Sequence, residues 1–255
     1  LAAKGDRRVN AVSLLVALLD TQAESLVGSF ATPEALALAR LGSQLRGVLG
    51  GDELGRSFAW LRPNDLVWNY WVNNYLMGND PPAFDVLYWN NDATSLPARL
   101  HGDFLDMFAS NPFKNPGTLS LLGTPLDLSK VTCDVFILAG LTDHIVPWKA
   151  SYATTQMLGG QREFVLSGSG HVQSIVTPPT SAKARYFTGR EYPGRADDWL
   201  ARAQPQSGSW WEHWRDWSIA RSGQRREAPK GLGSRRHPPG TAAPGTYVLG
   251  IATER

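Results

Sequence analysis

Two residues stand where this sequence can do chemistry. Asp143 follows the run Leu138-Ala139-Gly140-Leu141-Thr142 and precedes His144-Ile145-Val146-Pro147. His171 ends the run Phe164-Val165-Leu166-Ser167-Gly168-Ser169-Gly170. In both places a short apolar stretch of strand character gives way to a turn of small residues, and the turn delivers one titratable group. One helix and one strand lie between them, so a parallel sheet carries both turns to its carboxyl edge. A carboxylate and an imidazole so placed are the acid and base of a catalytic triad. The imidazole takes and returns protons; the carboxylate holds its tautomer and stabilises the imidazolium. Taken singly, Asp143 is equally a turn or capping residue for the helix after Pro147, and Gly-His after a strand has many plain explanations. The pair in this order favours the catalytic reading.

The third member is the difficulty. Where the nucleophile rides a sharp strand-to-helix turn, as in α/β-hydrolases, the chain order is nucleophile, acid, histidine, and the turn reads Gly-x-Ser-x-Gly or its cysteine version. No such pentapeptide occurs in the 255 residues. The nearest is Gly55-Arg56-Ser57-Phe58-Ala59, inside a helical pattern with no strand before it, so Ser57 is a poor candidate. Cys133 is the single cysteine, but it opens the strand whose far end carries Asp143. Six residues of strand cover ~20 Å, which places Cys133 at the amino edge as a small apolar residue. His144 is by default a packed neighbour of Asp143; the alternative is that it orients an incoming hydroxyl.

These groups need a sheet to position them. Residues 9–19 are apolar on both faces, as a covered parallel strand is, and 131–139 and 162–166 read as the next strands. Thr32-Pro33-Glu34 opens a helix, with Thr32 as N-cap and Pro33 at the first helical position, and Gly47, Gly50 and Gly51 close the segment. Further helices are expected over 52–61, 66–76, 100–108 and 148–158, over short stretches at 181–187 and 197–203, and over 210–217. The fold class is therefore α/β: a partial α/β-hydrolase fold with a helical cap inserted between sheet strands. Residues 1–20 and 129–255 are assigned to the core and 21–128 to the cap or lid. Trp68, Trp71 and Tyr75 fall on one helix face; by default they are core, and they are also suited to an apolar tunnel or lid. Trp210, Trp214 and Trp217 repeat the spacing and are expected to dock a terminal helix. Residues 221–239 are basic and rich in Pro and Gly, a loop or tail in which Arg221, Arg225, Arg226, Arg235 and Arg236 are solvated. Tyr247-Val248-Leu249 either adds a strand or frays.

Composition narrows the function. A net charge of +2 gives no reason to expect nucleic acid as a partner. One cysteine excludes an intrachain disulfide framework, no Cys/His cluster points to a metal, and a reducing cytoplasm is the default. The run 9–19 is too short for a membrane span, which takes about 20 residues. Ten tryptophans exceed what a plain core needs and point to a lined pocket, an apolar surface or a partner interface. The opening Leu1-Ala2-Ala3 lacks an initiator Met, so the chain is expected to be the end of something longer.

Several long strings carry a family resemblance. Pro63-Asn64-Asp65-Leu66-Val67-Trp68-Asn69-Tyr70-Trp71-Val72-Asn73-Asn74-Tyr75-Leu76 resembles the cap region of poly(3-hydroxyalkanoate) synthases, as do Pro82-Ala83-Phe84-Asp85-Val86-Leu87-Tyr88-Trp89-Asn90, Asp143-His144-Ile145-Val146-Pro147-Trp148, the segment from Gly170 to Pro179, Gly208-Ser209-Trp210-Trp211 and the closing Ala243-Pro244-Gly245-Thr246-Tyr247-Val248. Asn-Tyr-Trp-Val-Asn-Asn and Leu-Tyr-Trp-Asn look more like the synthases for medium-length side chains. The resemblance implies an α/β-hydrolase core with a helical cap and a Cys-Asp-His triad, with the acid on Asp143 and the histidine on His171. It implies polymerisation of (R)-3-hydroxyacyl-CoA with release of CoA at the surface of cytoplasmic polyester granules, no metal or cofactor, and a homodimer as a possible assembly. The family's cysteine elbow has no counterpart here, so the chain reads as the carboxyl-terminal portion of such a synthase, inactive alone. Two other readings stay open: a non-catalytic granule-binding or dimerisation module, and a fragment of an esterase, which would call for a serine elbow.

Overall fold

A computed structural model describes residues 1–22, 31–60, 63–81, 92–243 and 245–246, apart from the side chains of residues 58, 65 and 66. It divides into two units, Leu1–Arg221 and Ser222–Arg255. The first is built on a five-stranded sheet. Its strands, in spatial order, are β1 (Ala11–Leu15), β2 (Asp134–Gly140), β3 (Arg162–Ser167), β4 (Arg185–Thr188) and β5 (Gln204–Ser207). β1, β2 and β3 are mutually parallel, and β4 and β5 add an antiparallel edge. The sheet is thus of the mixed α/β class.

The two central strands read as unbroken apolar runs because both of their faces are covered. On one face Val135, Ile137, Ala139, Phe164 and Leu166 pack with Trp148, Tyr152 and Trp199; on the other Phe136, Leu138 and Val165 pack with Trp210. Each such large side chain contributes about 1.5–3 kcal/mol through burial. Tyr152 donates its hydroxyl to the Pro193 carbonyl at 2.6 Å, and burial pushes that hydroxyl up to about 12, so it stays a donor.

Seven α-helices among the described residues belong to this unit, besides shorter 3-10 turns and a π-wound segment: α1 (Pro33–Arg46), α2 (Gly51–Trp60), α3 (Ala98–Ser110), α4 (Trp148–Ala153), α5 (His171–Val176), α6 (Ala196–Arg202) and α7 (Trp210–Ile219). The start of α1 follows its sequence signals: the Thr32 side chain accepts the Ala35 N–H at 3.2 Å, and Gly47 ends the helix at φ 77°. α1 packs on α3 through a buried polar contact, His101 Nδ1 to Ser43 Oγ at 2.9 Å, with Arg40 paired to Asp106 beside it. Asp20 ties the exit from β1 to the end of α3, accepting from the Asn111 amide at 2.8 Å and from Lys114 at 2.9 Å.

Several expectations need correction. The strand expected over 9–19 covers only Ala11–Leu15, because Val16 turns out of it at φ 46°, an unfavourable conformation for a β-branched residue. The helix expected over 148–158 is α4 followed by a 3-10 turn, Thr154–Gln156. The short helix expected over 181–187 is strand β4 instead, its Tyr186, Phe187 and Thr188 being good strand formers. β5 was not anticipated at all; its Gln-Pro-Gln-Ser is exposed along its length, and only an edge tolerates the proline. The aromatic stripe is not core. Its helix is wound in two π-helical stretches, Asn64–Trp68 and Trp71–Leu76. Trp68, Trp71 and Tyr75 are exposed, Tyr75 by 71 %. They pair instead of scattering: Trp71 stacks on Tyr75 at 4.3 Å, and Trp68 meets Trp60 edge to face at 6.4 Å. Trp89 lies outside the described residues.

Helix α7 docks by Trp210 and Trp217, which pack against Phe136 at 6.0 and 5.5 Å; Trp214 stays at the rim. Arg221 is not solvated tail: it stacks on Trp217 at 4.2 Å and donates to Asp134 at 2.8 Å. Arg225, Arg226, Arg235 and Arg236, in the second unit, are exposed among turns, as expected. Tyr247-Val248-Leu249 lies outside the described residues. No helix among the described residues is long and apolar enough to cross a membrane.

Candidate active site

β2 and β3 end in register, Gly140 opposite Ser167. Beyond that point the two loops stay laced together. The Leu141 N–H donates to the Ser167 carbonyl at 2.8 Å and the Thr142 N–H to the Ser169 carbonyl at 3.2 Å. The loops that carry Asp143 and His171 are therefore held side by side by backbone bonds before either side chain is considered.

Gly140 is needed for this closeness. A Cβ there would lie 2.6 Å from Ser174 Oγ and 2.7 Å from the Ser169 carbonyl oxygen, pushing on the His171 loop from below. Sequence reasoning treated Gly140 as an ordinary turn residue; the signal that could have found it was a small residue where two loops must converge.

Asp143 does two jobs with two oxygens. Oδ1 accepts the N–H groups of Ile145 and Val146, both at 2.9 Å, which is the turn role its position allows. Oδ2 meets His171 Nδ1 at 2.8 Å. The carboxylate is fully shielded, with 0 % of the side chain exposed, while 24 % of the His171 side chain remains open. An acceptor at Nδ1 fixes the proton on that nitrogen and leaves the Nε2 lone pair for a substrate or nucleophile. The orientation is rigid, because three hydrogen bonds hold the carboxylate. This arrangement can relay a proton at Nε2; by itself it offers no nucleophile.

The other candidates lie elsewhere. Cys133 precedes β2, half-buried, and a Cβ at Gly160 would strike its carbonyl oxygen; that is the amino end of β3, opposite the end that leads to His171. Ser57 is exposed within α2 and donates to the Glu53 carbonyl of its own helix at 2.9 Å. His144 is half-buried next to Asp143. Among the described residues no group of three or more His, Cys, Asp or Glu could hold a metal ion.

The chain is similar to known proteins over nearly its whole length. A family profile described as the alpha/beta hydrolase fold matches residues 1–178. The chain is 51 % identical over 97 % of its length to poly(3-hydroxyalkanoate) polymerase 1 of Ectopseudomonas oleovorans, and covers 44 % of that protein. It is 51 % identical over 95 % of its length to polymerase 2 of the same organism, covering 43 % of it. With the poly(3-hydroxyalkanoate) polymerase subunit PhaC of Cupriavidus necator it shares 40 % identity over 97 % of its length, covering 43 % of that subunit. The chain thus spans less than half the length of the curated relatives it matches. On the profile match and the sheet it folds into, the chain belongs to the α/β-hydrolase fold family, and within it is homologous to the poly(3-hydroxyalkanoate) polymerases.

Proposed function

We propose that residues 1–255 supply the acid and base of a poly(3-hydroxyalkanoate) polymerase centre whose nucleophilic thiol comes from sequence outside these residues. The observation that carries this reading is the 2.8 Å bond between His171 Nδ1 and Asp143 Oδ2 at the carboxyl ends of adjacent parallel strands. The similarity to polymerases over almost the whole chain selects the chemistry. The 255 residues hold no Gly-x-Ser-x-Gly or Gly-x-Cys-x-Gly turn, which supports placing the nucleophile in another segment.

In the first half-reaction His171 Nε2 takes the proton of the cysteine thiol. The thiolate adds to the carbonyl carbon of an (R)-3-hydroxyacyl-CoA, the carbon–sulfur bond to CoA breaks, and the CoA thiolate leaves with the proton that His171 returns. In the second half, His171 takes the proton of a 3-hydroxyl as that oxygen attacks the acyl-cysteine. An ester bond forms, and the cysteine sulfur leaves and is reprotonated. Asp143 keeps Nδ1–H in place and stabilises each imidazolium. The reaction needs no cofactor.

Residues 21–128 act as the cap over this edge, and the exposed aromatic pairs of 60–75 contact the polyester or a second copy of the chain. The medium-length side-chain preference rests on the Asn-Tyr-Trp-Val-Asn-Asn string. Work at the surface of cytoplasmic polyester granules follows from the same reading.

The test is CoA release from a 3-hydroxyacyl-CoA by the 255-residue chain, beside the same chain joined to a segment bearing a Gly-x-Cys-x-Gly turn and its strands. Release by the longer form only, abolished by Cys→Ala at that turn, is the expected result. Robust release by the 255 residues alone would overturn the proposal.

A further inference from the structure

The helix that carries His171 is six residues long. A helix so short leaves most of its terminal carbonyls without intrahelical partners and is marginal alone. Here those carbonyls are taken by side chains of one string, Gly208-Ser209-Trp210-Trp211. The Trp210 indole N–H donates to the Ser174 carbonyl at 2.6 Å, the Trp211 indole N–H to the Ile175 carbonyl at 2.8 Å, and the Ser209 hydroxyl to the Thr177 carbonyl at 2.8 Å. Each residue of the string has a part. Gly208 makes the turn from β5 at φ 95°, in the left-handed region. Ser209 also caps α7, accepting the Trp211 N–H at 3.3 Å.

Helix α7, which presents these donors, is itself firmly seated. Trp210 is buried against Phe136, His213 pairs with Glu163 of β3 at 2.8 Å, and the Trp214 indole N–H donates to Ser13 of β1 at 2.9 Å. It therefore bridges β1, β2 and β3 and grips the far end of the histidine helix with three donors.

We propose that Ser209, Trp210 and Trp211 are positioning residues for His171. Their donors fix the carboxyl end of α5, and this sets where the imidazole at its amino end meets Asp143. None of the three touches the reacting atoms. The assignment builds on the reading of His171 as the base, but its test observes the imidazole itself, so failure of the polymerase reading would leave this result standing and failure of this one would leave that reading standing.

Trp211 and Trp214 form a matched pair for the test. They lie on the same helix, are 39 % and 36 % exposed, and each makes one indole hydrogen bond, to the histidine helix and to β1 respectively. The solvent exchange of the His171 Nδ1 proton is measured by NMR in the 255-residue chain, in Trp211→Phe and in Trp214→Phe. Losing one donor to the helix end should open the His171–Asp143 contact more often and speed exchange about tenfold in Trp211→Phe. Trp214→Phe should leave it unchanged. Should Trp211→Phe not fold, Ser209→Ala, which keeps both rings, must speed exchange in the same direction. Unchanged exchange in the variants aimed at the histidine helix, or equal acceleration in Trp214→Phe, would overturn the assignment.

Discussion

Strand β2 and helix α1 are both rich in apolar residues, yet the chain treats them oppositely. In β2 the side chains from Val135 to Ala139 are buried on both faces. In α1, Leu38, Leu41 and Leu45 are exposed, Leu45 by 79 %, and the one buried residue is Ser43. The same holds further along, where the Trp60–Trp68 and Trp71–Tyr75 pairs face outward. The sheet's apolar faces are closed by the helices packed on them, α4 and α6 on one side and α7 on the other, and the start of α7 also steadies the helix that carries His171. The described helices between β1 and β2 leave much of their apolar surface open. Positioning of the pair thus draws on the sheet and the helices that cover it, and the contact face proposed above lies in the segment between β1 and β2.

The sharpest way to break this contrast is to delete a ring from each region. Phe164→Ala should cost about 3–5 kcal/mol in denaturant unfolding, since Phe164 is fully enclosed between Tyr152 and Trp199. Trp71→Ala should cost under ~0.5 kcal/mol and raise solubility. Equal losses would mean that the helical segment is as much a part of the core as the sheet.

Gly140→Ala comes next, at about 1–3 kcal/mol, because its methyl meets Ser174 and the Ser169 carbonyl. It should also shift the His171 imidazole resonances; an unshifted imidazole would show that the loop is not held from below.

Smaller still is the joint between the regions. Burial pushes the Asp20 carboxyl up, but Lys114, Asn111 and the Gln22 amide together hold it below the ordinary 3.8. A depressed carboxylate contributes stability that is full above the ordinary value and is lost as pH falls through the folded value. Lys114→Met should therefore cost up to about 1 kcal/mol at neutral pH, given that Lys114 is half exposed, and the loss should fade in acid. A pH-independent loss would remove the ion pair from the account.

The smallest effect concerns α1 and α3. Burial, and then the nearby Arg40 charge, lower the His101 pKa from its ordinary 6.5. The unfolded chain therefore takes up the proton first, and the helix pair should loosen as pH falls from above that value through the lower folded one. Amide exchange on α1 that is flat between pH 7.5 and 5.5 would contradict this.

What could be read from the sequence follows the same division. The central strands announced themselves because covering both faces demands unbroken apolar runs, and the convergence of Asp143 with His171 follows from adjacent parallel strands ending level. Thr32-Pro33 marked the start of α1 through local chemistry alone, while its end was legible only as the glycines at 47, 50 and 51, of which Gly47 ends the helix. β5 was hidden because an exposed antiparallel edge needs no apolar alternation, and Gln204-Pro205-Gln206-Ser207 carries none; β4 was hidden because a four-residue run is too short for its period to separate strand from helix. The aromatic stripe misled because helical spacing shows which residues share a face, not whether anything covers it. The indole donors at Trp210 and Trp211 were invisible for a related reason: a tryptophan's apolar ring dominates the pattern, and the use of its N–H depends on which carbonyls the tertiary fold leaves free.

The central claim is that Asp143 and His171 form a working pair serving a thiol that is not Cys133. The most direct test is the rate of CoA release from a 3-hydroxyacyl-CoA by the form completed with a Gly-x-Cys-x-Gly segment, measured for Asp143→Asn, His171→Ala and Cys133→Ala side by side. The account predicts losses on the order of 10²–10⁴-fold for His171→Ala and a large loss for Asp143→Asn, with Cys133→Ala retaining the parent rate. Loss of activity in Cys133→Ala with the fold intact, or full activity in His171→Ala, would contradict it.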